Sequence, residues 1–224
     1  MIHFAFVAGL ALALISPLSV ANQTPTPTPA TSTAAVEAVH IPAFPNTTCP
    51  VMAKPISTRL YTDTQYGRIY ICCKACVKDI QADVEHTYRT AYPTTEKLEN
   101  KVCPVTGKAI TKDAVRVELQ GRDFLVLDKA AALVAVEDAQ ATLAKLADPK
   151  LVDVLNGTCP TTGEPVARNT IAVIDGHIVR FATTKAIEAA KQDPPATLAK
   201  ARELRAKEDR EKSAQAPTPK PAGG

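Results

Sequence analysis

The chain has 224 residues, 46% of them hydrophobic but only 4% aromatic and none of them Trp, and its formal net charge is +3. This length supports one or a few small domains whose light cores are built from Ala, Val, Ile and Leu. The charge is too small, and Lys and Arg too scattered, to point to nucleic acid.

Phe4 to Ile15 is an uncharged apolar run, as long as a signal-peptide core and short for a membrane span. Pro17 ends it, and Ser19-Val20-Ala21 offers the small residues a signal peptidase needs. We expect a signal peptide over 1–21 and export, to a periplasm or the extracellular space. The stretch ahead of the run holds no Lys or Arg, only His3, so the alternative is an uncleaved N-terminal anchor. No other segment is long and apolar enough to span a bilayer. Residues 22–44 follow as a Pro/Thr-rich linker with the run TPTPTPATST, which cannot bury a core.

Three Cys-Pro segments then recur, at Cys49, Cys103 and Cys159, spaced by 54 and 56 residues. An Asn stands three residues before each Cys (Asn46, Asn100, Asn156), and a Gly follows each at a distance of 18, 18 or 17 residues (Gly67, Gly121, Gly176). Further on, Asp83, Asp138 and Asp193 each precede an apolar residue by five positions: Tyr88, Leu143 and Leu198. Landmarks held in register three times read as a repeat. We place the units at 45–93, 99–148 and 154–212, with a disordered tail at 213–224.

Within each unit the hydrophobic period switches from two to about 3.6. Arg59–Gln65 and Arg68–Cys72 flank Tyr66-Gly67 in the first unit. In the second, Val115–Leu119 and Asp123–Leu127 flank a turn at Gln120-Gly121-Arg122. In the third, Ile171–Ile174 and Ile178–Phe181 flank Asp175-Gly176-His177. These are hairpins, since Gly tolerates the positive φ that tight turns need. A helix follows each. In the first, Cys73, Cys76, Val77, Ile80 and Val84 mark one buried face. The second runs over Lys129–Ala147. In the third, Pro194 and Pro195 break the helix, and a second one follows from Ala196 to about Lys212, with Glu203/Lys207 and Glu208/Lys212 as i,i+4 pairs. The fold class is therefore α+β: three units, each a Cys-Pro turn, a hairpin and a helix. Units of this size rarely fold alone without a metal, a disulfide or neighbours.

Only the first unit continues into Cys72-Cys73-Lys74-Ala75-Cys76. A cysteine in a tight turn, followed by cysteines at a hairpin end and in the first turn of a helix, is a metal-knuckle arrangement, and positions i and i+4 can face the same way. Three readings are open for these cysteines: metal ligands, disulfides, or inert packing. Export makes disulfides a serious rival. Cys73-x-x-Cys76 also admits thiol-redox work, although no thioredoxin-like βαβ context surrounds it.

Cys49-Pro50-Val51-Met52, with Tyr66-Gly67-Arg68-Ile69-Tyr70-Ile71-Cys72-Cys73-Lys74-Ala75-Cys76, resembles the TRASH/YHS group of small metal-binding domains. The first unit departs from the group's pattern in having Ala53 for a Gly and no Tyr-His-Ser signature. The resemblance implies treble-clef-like units and a site for one zinc or copper(I) ion in the first unit only. Its ligands would be Cys49, Cys72 and Cys76, with Cys73 next. The hairpin glycines align Cys72, Cys73 and Cys76 with Val126, Leu127 and Ala130, and with Phe181, Ala182 and Lys185. None of these is a thiol, which leaves Cys103 and Cys159 as buried relics, as partners in a disulfide with each other or with Cys73, or as ligands in some other arrangement. His86 is a possible fourth ligand, though an exposed helical position suits it better; His40 and His177 read as solvated. No enzyme signature appears. The expected partners are a metal ion and, for delivery, another exported or membrane protein.

Overall fold

The computed structural model describes residues 38–215. The expected signal peptide, most of the Pro/Thr-rich linker and residues 216–224 lie outside the described residues. Among the described residues, six helices and three small sheets make an α+β fold. No helix among the described residues is long and apolar enough to cross a membrane.

The same backbone knot is tied at each Cys-Pro segment. The N–H groups of Cys49, Cys103 and Cys159 donate to the carbonyls of Lys54, Lys108 and Glu164 at 2.9, 2.8 and 2.7 Å. Ala53, Gly107 and Gly163 donate back to the three cysteine carbonyls at 2.9 Å, and all three take positive φ, at 50°, 70° and 75°. Each landmark Asn pins this knot to a hairpin. Asn46 accepts the N–H of Tyr70 and donates to its carbonyl; Asn100 does both with Leu125, and Asn156 with Arg180. The Asn is needed because only a side-chain amide offers donor and acceptor side by side.

The hairpins are β2 (Ser57–Thr64) with β3 (Gly67–Ile71), β5 (Val115–Leu119) with β6 (Arg122–Val126), and β8 (Ile171–Ile174) with β9 (His177–Arg180). In the last two, both central turn residues have positive φ: Gln120 and Gly121, Asp175 and Gly176. Such turns match the twist of the strands they join. The first turn differs. Its central residues are Gln65 and Tyr66, and Gly67 follows them, paired with Thr64, at φ 89°. Its glycine therefore sits one place later than those at 121 and 176.

Several elements depart from the sequence reading. The helical stretch breaks at the landmark Asp in all three units, where a break was expected only in the third. α1 (Cys76–Ala82) gives way to α2 (Val84–Ala91), α3 (Lys129–Glu137) to α4 (Ala139–Ala147), and α5 (Thr184–Ala190) to α6 (Pro194–Gln215). The cause is visible at Asp83 and Asp193, whose carboxylates accept the N–H groups of His86 and Ala196 at 3.0 Å and so cap a new helix. Tyr88, Leu143 and Leu198, five residues on, are all buried. Helix α6 also runs through Ser213 to Gln215, into the segment expected to be a disordered tail. The expected Glu203/Lys207 and Glu208/Lys212 pairs give way to Lys200–Glu203, Arg205–Asp209 and Lys207–Glu211.

Three two-residue strands complete the sheets. β4 (Glu96–Lys97) runs parallel to β6, and β7 (Val152–Asp153) parallel to β9. β1 (Val39–His40) pairs with β8, with Val39 opposite Ile174, and Val39 is buried. The linker expected over 22–44 thus ends in folded structure, because an apolar residue there completes the third sheet.

Each hairpin and helix pair closes a small core around its own cysteine: Cys49 with Ile69, Ile80 and Tyr88; Cys103 with Phe124, Val126 and Leu143; Cys159 with Ile174, Phe181 and Ile187. A fourth cluster joins Ala141 and Ala144 of α4 to Ile171 and Ile178. A buried polar junction adds to it. The Arg68 guanidinium donates to the Asn169 carbonyl at 2.9 Å, and Arg180 pairs with Asp153 at 2.7 Å and with Asp138. The three cores are therefore held as one body rather than strung as beads.

Candidate metal centre

The first knuckle, the end of β3 and the start of α1 bring three thiols together. The sulfurs of Cys49, Cys72 and Cys76 all lie within 4.8 Å of one another, with Cys49 to Cys76 at 3.7 Å and Cys72 to Cys76 at 3.9 Å. Sulfurs bound at about 2.3 Å to one tetrahedral zinc stand about 3.8 Å apart, so these separations suit a shared ion. They are far from the roughly 2.05 Å of a disulfide, and all six cysteines are free thiols. Cys49 and Cys76 are buried, and Cys72 is half-buried. Among the described residues no His, Asp or Glu joins the trio.

The electrostatics separate the thiols. Burial pushes the Cys49 thiol up, but the N–H groups of Cys72, Met52 and Val51 converge on its sulfur and bring it down to about 7. Burial, followed by the crowding of Cys73, Cys49 and Cys72, pushes Cys76 up to about 12. Cys72 is raised by burial and then by Cys49. A cluster in which one thiol is eased towards the thiolate, while burial first and neighbouring sulfurs second keep two neutral, is a site where a soft cation replaces protons.

Cys73 stands apart from the trio. It is exposed, and its sulfur approaches that of Cys76 at 3.6 Å. Counting from the Asn-bound residues Tyr70, Leu125 and Arg180, Cys73 corresponds to Asp128 and Thr183. Those two side chains cap α3 and α5 by accepting the N–H groups of Ala131 at 2.8 Å and Ala186 at 3.1 Å. Helix α1 has no side-chain cap of this kind: the Cys76 N–H donates to the Cys73 carbonyl at 3.3 Å, and contact with the Cys76 sulfur, followed by nearby N–H groups, holds the Cys73 thiol below the usual value.

This count corrects the register read from the glycines by one residue. Cys72 corresponds to Leu127 and Ala182, and Cys76 to Ala131 and Ala186. The N–H groups of Cys72, Leu127 and Ala182 all point at their own knuckle sulfurs, which fixes the alignment independently. The positions matching Cys72 and Cys76 are thus apolar: Leu127 and Ala131, and Ala182 and Ala186. Cys103 and Cys159 are fully buried in separate cores, so the disulfide considered between them is not made. Their thiols are raised by burial but lowered further by the hydroxyls of Thr106 and of Thr161 and Thr162 and by nearby N–H groups.

The histidines do not join the centre. His86 is exposed on α2, and its backbone N–H goes to Asp83. His177, expected to be solvated, bridges the Asp175 carbonyl at 2.6 Å and Arg202 at 2.7 Å, tying the third hairpin to α6. No protein-family model, curated protein or solved structure matches this chain.

Proposed function

We propose that this is an exported metal-binding protein, holding one zinc or copper(I) ion through Cys49, Cys72 and Cys76 for sequestration or delivery. The observation that carries the reading is the thiol trio, at metal-ligand separations and with Cys49 already near 7. Its three-coordinate character supports delivery, since a partner's thiolate can enter the open position before a resident one leaves. We further read the chain as three tandem TRASH/YHS-like, treble-clef-like units, of which the first alone keeps its ligands, and as a binding protein rather than an enzyme. The recurrent Asn and Cys-Pro hydrogen bonds support the tandem reading, and the apolar run at 4–15 supports export.

The test is to purify the protein from its native compartment and measure bound metal and free thiols together. About one ion per chain, lost in Cys49→Ser, is the expected result. A chain with neither metal nor free thiols would sink the reading in favour of a disulfide-stabilised interaction module.

A further inference from the structure

Cys73 occupies a position whose structural duty is met elsewhere by other chemistry. Asp128 and Thr183 cap their helices from the same place. A cap needs an acceptor atom, and a sulfur is the poorest of the three. The thiol is exposed while Cys76, its neighbour at 3.6 Å, is buried and belongs to the trio. An oxidant from solvent therefore meets Cys73 first, and the thiol nearest to resolve it is a metal ligand.

We propose that Cys73 is an oxidation site through which peroxide releases the bound metal. The proposal rests on the metal-binding reading above. Hydrogen peroxide is the co-reactant. The Cys73 sulfur attacks one peroxide oxygen, the O–O bond breaks, and the leaving hydroxide takes a proton to become water. Cys76 sulfur then attacks the Cys73 sulfenic acid, the S–S bond forms, the S–O bond breaks, and a second water leaves with one more proton. Two electrons pass from the sulfur pair to the peroxide. Cys76 sulfur, now bonded to Cys73 sulfur, is no longer an anionic thiolate, so a bound ion would be left with Cys49 and Cys72 and would dissociate. Reduction of the disulfide by a dithiol restores the site.

The test uses the zinc-loaded protein, a chromogenic chelator and one equivalent of peroxide. Wild type is expected to lose zinc, and trypsin after thiol alkylation is expected to yield the peptides 69–74 and 75–78 joined between Cys73 and Cys76. Cys73→Asp and Cys73→Thr, which place there the side chains found at 128 and 183, are expected to bind zinc but to release it about tenfold more slowly under the same dose. Release at the wild-type rate in both variants, or a bond mapped to Cys49 or Cys72, overturns the proposal alone. A wild-type protein that takes up neither zinc nor copper(I) overturns the metal-binding reading as well.

Discussion

Gln120 accepts the backbone N–H of Arg68 through its side-chain oxygen at 3.1 Å, joining the turn of the second hairpin to the strand that leads into Cys72. The same side chain donates to the Phe44 carbonyl at 2.9 Å and accepts from Gln140, while its own N–H goes to the Tyr66 carbonyl at 3.0 Å. Gln120→Ala strips the Arg68 N–H and the Gln140 side-chain amide of their partner, while the Phe44 carbonyl keeps the Tyr92 hydroxyl at 3.2 Å. Each unpaired group costs about 1–3 kcal/mol, so a loss of about 2–3 kcal/mol after relaxation is expected. Urea unfolding measures it, and an unchanged midpoint would show that the junction contributes nothing.

Gly67 and Gly176 separate backbone strain from packing. Both have positive φ, at 89° and 70°. A Cβ on Gly67 would meet Gln120 Cγ at 2.9 Å, whereas one on Gly176 would meet nothing within 4 Å. Gly176→Ala is expected to cost about 1 kcal/mol, the left-handed penalty alone. Gly67→Ala adds a steric term of about 1–3 kcal/mol. Equal losses in thermal melts of the two variants would refute the contact.

Ala53 carries a positive φ of 50° where the other knuckles have Gly107 and Gly163. Relief of about 1–2 kcal/mol of left-handed strain outweighs the added freedom of a glycine in the unfolded chain, about 0.4–1 kcal/mol. Ala53→Gly is therefore expected to stabilise the protein by about 0.5–1 kcal/mol. A lower melting temperature in that variant would count against the strain.

Glu208 reaches from α6 to the third knuckle, accepting the Gly157 N–H at 2.9 Å and the Thr158 hydroxyl at 2.9 Å. Burial raises its carboxyl, but these donors, helped by Arg205 and Lys212, outweigh it and hold the group below the usual carboxylate range. A depressed folded value means the contribution is fully present above the ordinary glutamate range and fades as pH falls through the folded value. Glu208→Gln is expected to cost about 1 kcal/mol at neutral pH, the half-exposed setting tempering a charged hydrogen bond, and progressively less as pH falls through the folded value. A stability gap between the two proteins that is independent of pH would remove the carboxylate from the account.

Much of this architecture is legible in the residue order, and the misses have local causes. The landmark Asn, Cys and Asp residues recur because each serves the backbone in one way. Asn46 pins a strand, Cys49 opens a knuckle, and Asp83 caps a helix. The trio's members could be named because a ligand cluster requires thiols at set spacings. The one-residue error at Cys76 arose from Gly67, whose turn places its glycine a position later than Gly121, a difference of φ that residue types do not announce. The breaks at Asp83 and Asp138 were missed because no proline marks them. Strands as short as Val39–His40 and Glu96–Lys97 carry no period to detect. That Cys73 stands where Asp128 and Thr183 cap their helices shows only once the hairpins are aligned on their Asn contacts.

Val39, near the start of the described fold, finds its partner in Ile174 of the last hairpin. Synthesis proceeds from the N-terminus, so Val39 appears long before the strand that covers it. The third core closes only after nearly the whole chain has arrived, and this long-range pairing is the kind of contact that forms slowly. A chain arrested before its last hairpin carries an apolar segment with no place to go. That incomplete form is the one a chaperone has to guard and a protease can most readily cut.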